Sequence, residues 1–276
     1  MSVRPSNTEN PVAAGTAFDR VAALYDEVFT HSAIGRAQRQ LVHRELQPVF
    51  VRGSRILDIN CGTGEDALHF GARGVEVLAC DASAAMIDVC RRKLAAAGAA
   101  PPVTFLVCTN ESLDDLTGFG LFDGALSNFG GLNCTADLSA VGRQLAPLLC
   151  PGGALFICIM GRVCAWEIAW YLLSGRWGKA VRRLRPSGST ATIGGLRLRV
   201  QYPSVRQVTA AFAPWFRIKA RRGIGVFLPP SWLEPFFGNR PRTLRFFGWL
   251  DRHLGAWPLL GGLADHVLLH LVREEQ

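Results

Sequence analysis

Two carboxylates and two glycines are spaced in this chain so that they could hold a polar organic ligand. In the segment ILDINCGTGEDALHF, residues 56–70, an apolar run carrying Asp58 gives way to Gly62 and Gly64 and then to a helical pattern. A glycine turn lets backbone approach a ligand closely, and the helix that follows presents free N–H groups. The spacing is G-x-G with Ala67 where dinucleotide binders place a third glycine, and no G-K-[ST] follows. Dinucleotide and P-loop phosphate chemistry are therefore excluded. Asp58 at a strand end would repel phosphate but suits an ammonium group or water. Asp81 closes the next apolar run, where a carboxylate can accept both hydroxyls of a ribose.

These residues need a scaffold, and the hydrophobic pattern describes one. Residues 17–48 read as helical. Short apolar strands are expected at Arg55–Ile59, Val75–Cys80, Val103–Cys108, Phe122–Ser127 and Ala154–Met160, the last introduced by the turn Pro151-Gly152-Gly153. Helical patterns at Ala67–Ala72, Ala84–Ala97 and Leu138–Leu149 lie between them. Strands alternating with helices at this spacing mean βαβ units and a parallel sheet. After Gly161 the alternation loosens: a helix at Trp166–Leu173, a basic stretch Trp177–Leu184, a hairpin over Thr190–Tyr202, a helix at Val205–Phe212 and a strand at Phe216–Arg221. Pro229–Leu263 reads as short helices broken by prolines, and His266–Val272 as a closing strand.

The 276 residues are 49% hydrophobic and 19% charged, enough apolar material for one large domain and too much for a disordered chain. No apolar run is long enough to span a bilayer. Ser2–Gly15 is polar and lacks the apolar stretch of a secretory signal, so the expected location is the cytoplasm. The eight cysteines form no C-x-x-C pair, which argues for reduced structural thiols and against zinc. No metal site is expected.

The net charge of +8 is unevenly placed. Residues 1–160 hold 12 basic and 16 acidic residues, and residues 161–276 hold 18 and 6. Twenty-seven of the 30 basic residues are arginine, a bias in keeping with a bacterial-like composition. The basic second part points to an anionic ligand, a lipid headgroup layer or nucleic acid.

As a set, these features resemble the class I S-adenosylmethionine-dependent methyltransferases, particularly the ubiquinone/menaquinone-type small-molecule branch. The matching residues are Asp58, Gly62, Gly64, Asp81-Ala-Ser-x-x-Met86, Phe122-Asp123, Leu149-Cys-Pro-Gly-Gly153 and the leader Phe18-Asp-x-x-Ala22-x-x-Tyr25-Asp26. The resemblance covers residues 17–160 well and 161–276 only in outline. It implies an α/β fold: a Rossmann-like seven-stranded, mostly parallel sheet with helices on both faces, N-terminal helices, and a late helical/hairpin insert forming a cap. Residues 1–16 are expected to be loosely ordered and 17–276 to form a single domain. Its cofactor core would be 50–160 and its cap elements 17–48, 161–203 and 227–263.

The resemblance also assigns residues. Gly62 and Gly64 would take the methionine end of S-adenosylmethionine, Asp58 its amino group and Asp81 the ribose hydroxyls, with Ala82 and Met86 flanking the adenine. The family's Asp-Ala after strand three is here Thr109-Asn110-Glu111, so Asn110 would read the adenine amino edge, with Glu111 beside it. Asn60 replaces a usual glycine and can adopt the left-handed conformation that the turn demands. Ser127 and Asn128 would border cofactor and acceptor. Tyr25 would place an aromatic face near the sulfonium, and His31 is the candidate general base; with Asn128, these two would position the acceptor.

An activated methyl donor leaves much of catalysis to positioning the acceptor and excluding water. Several acceptor classes are disfavoured. Ser127-Asn-Phe-Gly130 lacks the [DNS]-P-P-[YF] motif of amino-methylating DNA enzymes, and no Asp-Asn dipeptide exists for a magnesium-dependent catechol type. The expectation is an enzyme of small-molecule biosynthesis methylating oxygen, nitrogen or carbon of an apolar or anionic metabolite, leaving S-adenosylhomocysteine. Peripheral contact with a membrane or anionic surface would come from the arginine-rich part. Three alternatives stand beside it: an RNA-binding methyltransferase, an S-adenosylmethionine enzyme that transfers no methyl, and an inert cofactor-binding partner protein.

Overall fold

The computed structural model describes residues 13–98 and 101–275. Helices α1 (Ala14–Asp19) and α2 (Ala22–Tyr25), a π-helical turn (Asp26–Thr30) and α3 (Ala33–Leu46) precede the first strand. Then follow β1 (Arg55–Ile59), α4 (Glu65–Gly71), β2 (Glu76–Asp81), α5 (Ala84–Ala96), β3 (Val103–Val107), β4 (Phe122–Ser127), α6 (Leu138–Leu145) and β5 (Leu149–Met160). The second part adds α7 (Ala165–Leu173), α8 (Trp177–Ala180), a hairpin of β6 (Ser189–Ile193) and β7 (Leu196–Val200), and α9 (Val205–Phe212). It ends with β8 (Phe216–Ile224), α10 (Glu234–Phe237), α11 (Pro241–Leu254), α12 (Pro258–Gly261) and β9 (His266–Arg273).

Seven strands form one sheet in the order β3-β2-β1-β4-β5-β9-β8; the first five run parallel, and β9 is antiparallel to both neighbours. This is the expected α/β architecture. Strand alternation sorts β1 between two apolar layers: Ile56 joins the layer under α3 and α4, while Leu57 and Ile59 face the layer under α6 and α9. Asp58 shares the parity of Ile56 and is carried into the interior by it. The chain order reverses between β1 and β4, so a crevice opens beyond their carboxyl ends.

Four expectations need correction. Of the stretch read as loosely ordered, residues 1–12 lie outside the described residues, but Ala14–Thr16 are helical and Gly15 is buried. A Cβ on Gly15 would lie 2.5 Å from the Ala82 carbonyl, so this helix sits directly on the β2 exit. The turn Pro151-Gly152-Gly153 is instead part of β5, because Leu149 still pairs with Phe122 before a register shift. The fragmented helices expected over 229–263 include one of 14 residues, α11, since Pro241 stands at its first turn and no proline follows until Pro258.

The last correction concerns the segment 227–263, expected to cap the crevice. It packs elsewhere, on α3. Glu234 accepts the Ala33 and Ile34 N–H groups at the start of α3, at 2.7 and 3.0 Å. Asp251, fully buried, accepts the N–H groups of Val226, Phe227 and Leu228 at 2.8–3.0 Å. Leu233 and Leu244 join the apolar layer beneath.

Candidate active site

The glycine loop has the strained backbone its sequence calls for. Asn60 has φ 60°, Gly62 55° and Gly64 77°, all in the left-handed region. The two glycines do different work. A Cβ on Gly64 would stand 2.9 Å from both Cys90 Sγ and the Phe105 ring, so Gly64 is held by packing. A Cβ on Gly62 would meet only Tyr25 Cε1, at 4.0 Å, so its free face looks into the crevice. The N-terminal helices are pinned over this loop. Asp19 accepts from Ser83 Oγ and the Ala85 N–H at 2.6 and 3.1 Å. Asp26 accepts from Thr63 Oγ1 at 2.6 Å and pairs with Lys93 at 2.7 Å.

The acids take up distinct positions. Asp81 accepts the Gly62 N–H on Oδ2 and the Ser83 N–H on Oδ1, both at 2.9 Å. Burial raises its carboxyl above the usual range, against those donors. Asp58 is 1% exposed and its Oδ2 has no hydrogen-bond partner. Burial, reinforced by the Asp66 charge, raises its carboxyl well above the usual value. An orphaned, buried carboxylate oxygen at a strand end is a place for a cation or donor that the protein itself does not provide.

Above these acids runs an amide network. Ser127 Oγ donates to Asn60 Oδ1, and Asn60 Nδ2 to Asn110 Oδ1, both at 3.0 Å; Asn110 Nδ2 donates to Thr135 Oγ1 at 2.7 Å. Ser127 is thus a buried support for Asn60. The Asn110 amide, expected to read adenine, is already engaged at both ends within the protein.

Two cavities meet along this wall. The first, about 310 Å³, is lined by Gly15, Asp81, Ala82, Thr109, Asn110, Glu111 and Arg199 among others. The second, about 290 Å³, is lined by Tyr25, Gly62, Met86, Asn128, Phe129, Met160, Arg182, Ile193, Val200 and Tyr202 among others. Both share Phe18, Asn60, Asp81, Gly131 and Cys134. Asp81 therefore stands at the seam of two chambers, one carrying Thr109, Asn110 and Glu111 and the other, called the apolar chamber, walled by Tyr25, Met86, Phe129, Met160, Ile193 and Val200. Met86, expected beside adenine, lines the apolar chamber. His31 is exposed at the end of the π-helical turn and lines neither.

Tyr25 faces the apolar chamber with its ring edge-on to Phe18, 6.3 Å between centroids. Burial pushes its hydroxyl up to about 12, so it stays a neutral phenol at working pH. Asn128 donates to Asp66 Oδ2 at 3.0 Å and accepts the Phe129 N–H at 2.9 Å, holding Phe129 at φ 47°. Asp66 also binds Arg39 at 2.5 Å and His43 at 2.6 Å. Burial alone would raise this carboxyl, but Arg39 and His43 outweigh it and hold Asp66 well below the usual range. Strain in a non-glycine residue beside a cavity is a common mark of a functional wall.

Sequence reasoning did not single out Arg182, Tyr202 or the hairpin side chains. Arg182 donates from Nε and Nη2 to Glu167 at 2.5 and 3.0 Å, and Tyr202 shares a hydrogen bond with Ser189 at 3.2 Å. Only the alternation of β6–β7 hinted at a wall here, with Ala191 and Ile193 on one parity and Leu198 and Val200 on the other. Among the described residues no cluster of three metal-ligating side chains occurs. No helix there is long and apolar enough to cross a membrane.

Comparison with known proteins gives a consistent result. Residues 56–153 match the family model described as a methyltransferase domain. Over 158 residues the chain is 32% identical to demethylmenaquinone methyltransferase of Clavibacter sepedonicus, covering 56% of this chain and 61% of that protein. Over 113 residues it is 28% identical to the putative methyltransferase YqeM of Bacillus subtilis, covering 41% of each. The first match thus spans about three-fifths of its relative's length. Among solved structures, the CcbJ methyltransferase from Streptomyces caelestis superimposes with a TM-score of 0.62 at 15% identity, covering 94% of this chain and 98% of that one. The [4+2]-cyclase SpnF does so with 0.61 at 17% identity, covering 96% and 97%. At such identities the likeness is one of fold.

Proposed function

We propose that the chain is a class I S-adenosylmethionine-dependent methyltransferase, a reading supported by its methyltransferase-domain match and its likeness to demethylmenaquinone methyltransferase, and that it methylates a small organic acceptor held in the apolar chamber. The observation that carries this reading is the position of Asp81 at the seam of two cavities, one lined by Thr109, Asn110 and Glu111 and the other by the aromatic and aliphatic side chains of Tyr25, Phe129, Met160, Ile193 and Val200. When bound, S-adenosylmethionine supplies an electrophilic methyl group. The residues present fit it. Asp81 keeps lone pairs beyond those taken by Gly62 and Ser83, enough to accept ribose hydroxyls. Asp58 lines neither cavity, but its orphaned buried oxygen would accept from an ammonium group that reached it, and Gly62 offers a backbone face without a side chain.

The remaining residues position and exclude. Phe18 and Tyr25 close the seam with aromatic faces that favour a neighbouring sulfonium, an effect of about 0.5–2 kcal/mol. Phe129, Met160, Ile193 and Val200 line the acceptor side with apolar surface, which keeps water from the reacting atoms. Arg182 and Tyr202 add polar groups to that side. Tyr25 and Asn128 would orient the acceptor. His31 lines neither cavity, so no part in positioning the acceptor is assigned to it. Apolar walls of this size support a small acceptor over an RNA strand.

The test is methyl transfer itself. The full chain is incubated with S-adenosylmethionine labelled in the methyl group and a panel of naphthols, phenols, amines and aryl carboxylates. Transfer of label to a small aromatic acceptor is expected. Transfer only to RNA, or to nothing while the cofactor binds tightly, would overturn the reading.

A further inference from the structure

Away from the crevice, α3 and α11 pack side by side and enclose an open groove of about 700 Å³. Arg36 and Arg44 line it from α3, and Arg245, Trp249 and Arg252 from α11. All four arginines are exposed, and none has a carboxylate within ion-pair distance among the described residues. The nearby acids are committed elsewhere: Glu234 caps α3, Asp251 is buried on backbone N–H groups, and Glu45 pairs with Arg222 at 3.1 Å. Surface arginines that share no acid form a lasting positive field.

Aromatic side chains accompany these charges. On the same outward stripe of α11, Phe246 is 56% and Trp249 53% exposed, with rings 6.3 Å apart and nearly parallel. Phe246 touches Phe247, Phe247 touches Phe237, and the adjacent Phe236, 54% exposed, leans on Trp170 of α7. Leu173, at the end of α7, is 89% exposed. Exposed apolar groups joined in this way mark an interaction surface.

We propose that this face docks on an anionic phospholipid bilayer, with Phe246 and Trp249 entering the headgroup–acyl boundary and the four arginines meeting lipid phosphates. Interleaved arginine and aromatic residues on an exposed helix suit such an interface. A second copy of the chain fits poorly, because a symmetric contact would set the arginines against each other. A single-stranded nucleic acid fits less well, because Phe246 lies nearly parallel to Trp249 and His253 leans on the same indole at 41°, so neighbouring rings take up the faces that bases would need.

Co-sedimentation of the full chain with vesicles tests the proposal. One set is phosphatidylcholine alone; in the other about a third of the lipid is phosphatidylglycerol. The chain should sediment with the second set, lose binding as salt rises, and shift its tryptophan emission to shorter wavelength. Arg245→Gln with Arg252→Gln, and separately Phe246→Ser with Trp249→Ser, should each lower partitioning at least about tenfold. Both pairs are exposed, so unchanged melting will show that the fold is intact; the two pairs also serve as independent variants. Equal binding to both vesicle types, no binding to either, or binding that both variants leave unchanged would overturn the proposal. So would saturable binding of a single-stranded RNA that the arginine pair abolishes while vesicle binding persists.

Discussion

Asp81 reaches back from the end of β2 to accept the Gly62 N–H on Oδ2 at 2.9 Å. The acid that sits at the seam of the two cavities also fixes the glycine loop of the neighbouring strand. Loop shape and ligand contact therefore depend on one side chain. A carboxylate has about four lone-pair directions, and two remain here after Gly62 and Ser83 are satisfied.

The two loop glycines should separate stability from binding. Gly64→Ala meets Cys90 and Phe105 at 2.9 Å in a left-handed backbone, so it should lose about 2–4 kcal/mol of stability in urea unfolding. Gly62→Ala carries the backbone strain of about 1 kcal/mol but little packing cost. It should instead weaken S-adenosylhomocysteine binding. Equal effects of the two variants on both properties would refute the division.

Asp66 binds Arg39, His43 and Asn128 in the interior. Asp66→Ala strands the Arg39 charge and should cost about 3–5 kcal/mol. Replacing both partners, Asp66→Leu with Arg39→Met, should cost less than Asp66→Ala alone, because no buried charge is left behind. Urea titration of the three proteins decides it; a double variant weaker than the single one would mean the cluster is held by its pairing.

His270 lies on β9 with its ring stacked on Phe156, 4.3 Å between centroids. Burial first, then Lys219, pushes its pKa down to about 4 from 6.5. Between those values the folded state binds fewer protons than the unfolded one, so stability falls as pH drops. The contribution is complete above pH 6.5 and gone near pH 4, about 1–2 kcal/mol after allowance for solvent screening. His270→Gln should flatten that part of the stability–pH curve. Parallel curves for variant and wild type would show that His270 titrates normally.

The sheet was largely legible because buried parallel strands are continuous apolar runs. The expected Arg55–Ile59 and Phe122–Ser127 match β1 and β4, and the helix at Val205–Phe212 matches α9. The left-handed turn at Asn60 could be read because few residue types accept it. The placement of 227–263 could not. It is decided by Glu234 and Asp251, whose partners on α3 and at Val226–Leu228 are ordinary backbone groups with no signature in the sequence. Arg182 and Tyr202 were hidden for a similar reason: Glu167 of α7 holds Arg182 and Ser189 of the hairpin holds Tyr202 at the apolar chamber, and neither pairing has a signature in the sequence. His31 was singled out because it follows the Tyr25 segment, and the structure leaves it exposed at the end of a π-helical turn, lining neither cavity.

The most direct test is calorimetric titration of S-adenosylhomocysteine into wild-type protein and Asp81→Ala, with melting curves to confirm that both are folded. Hydrogen bonds to a charged group contribute about 1.5–3 kcal/mol each, so losing the Asp81 carboxylate should weaken binding by tens of fold or more. Saturable binding by the wild type and that loss in the variant are expected. A wild type that binds no S-adenosylhomocysteine, or a folded variant that binds it as tightly as the wild type, would contradict that expectation.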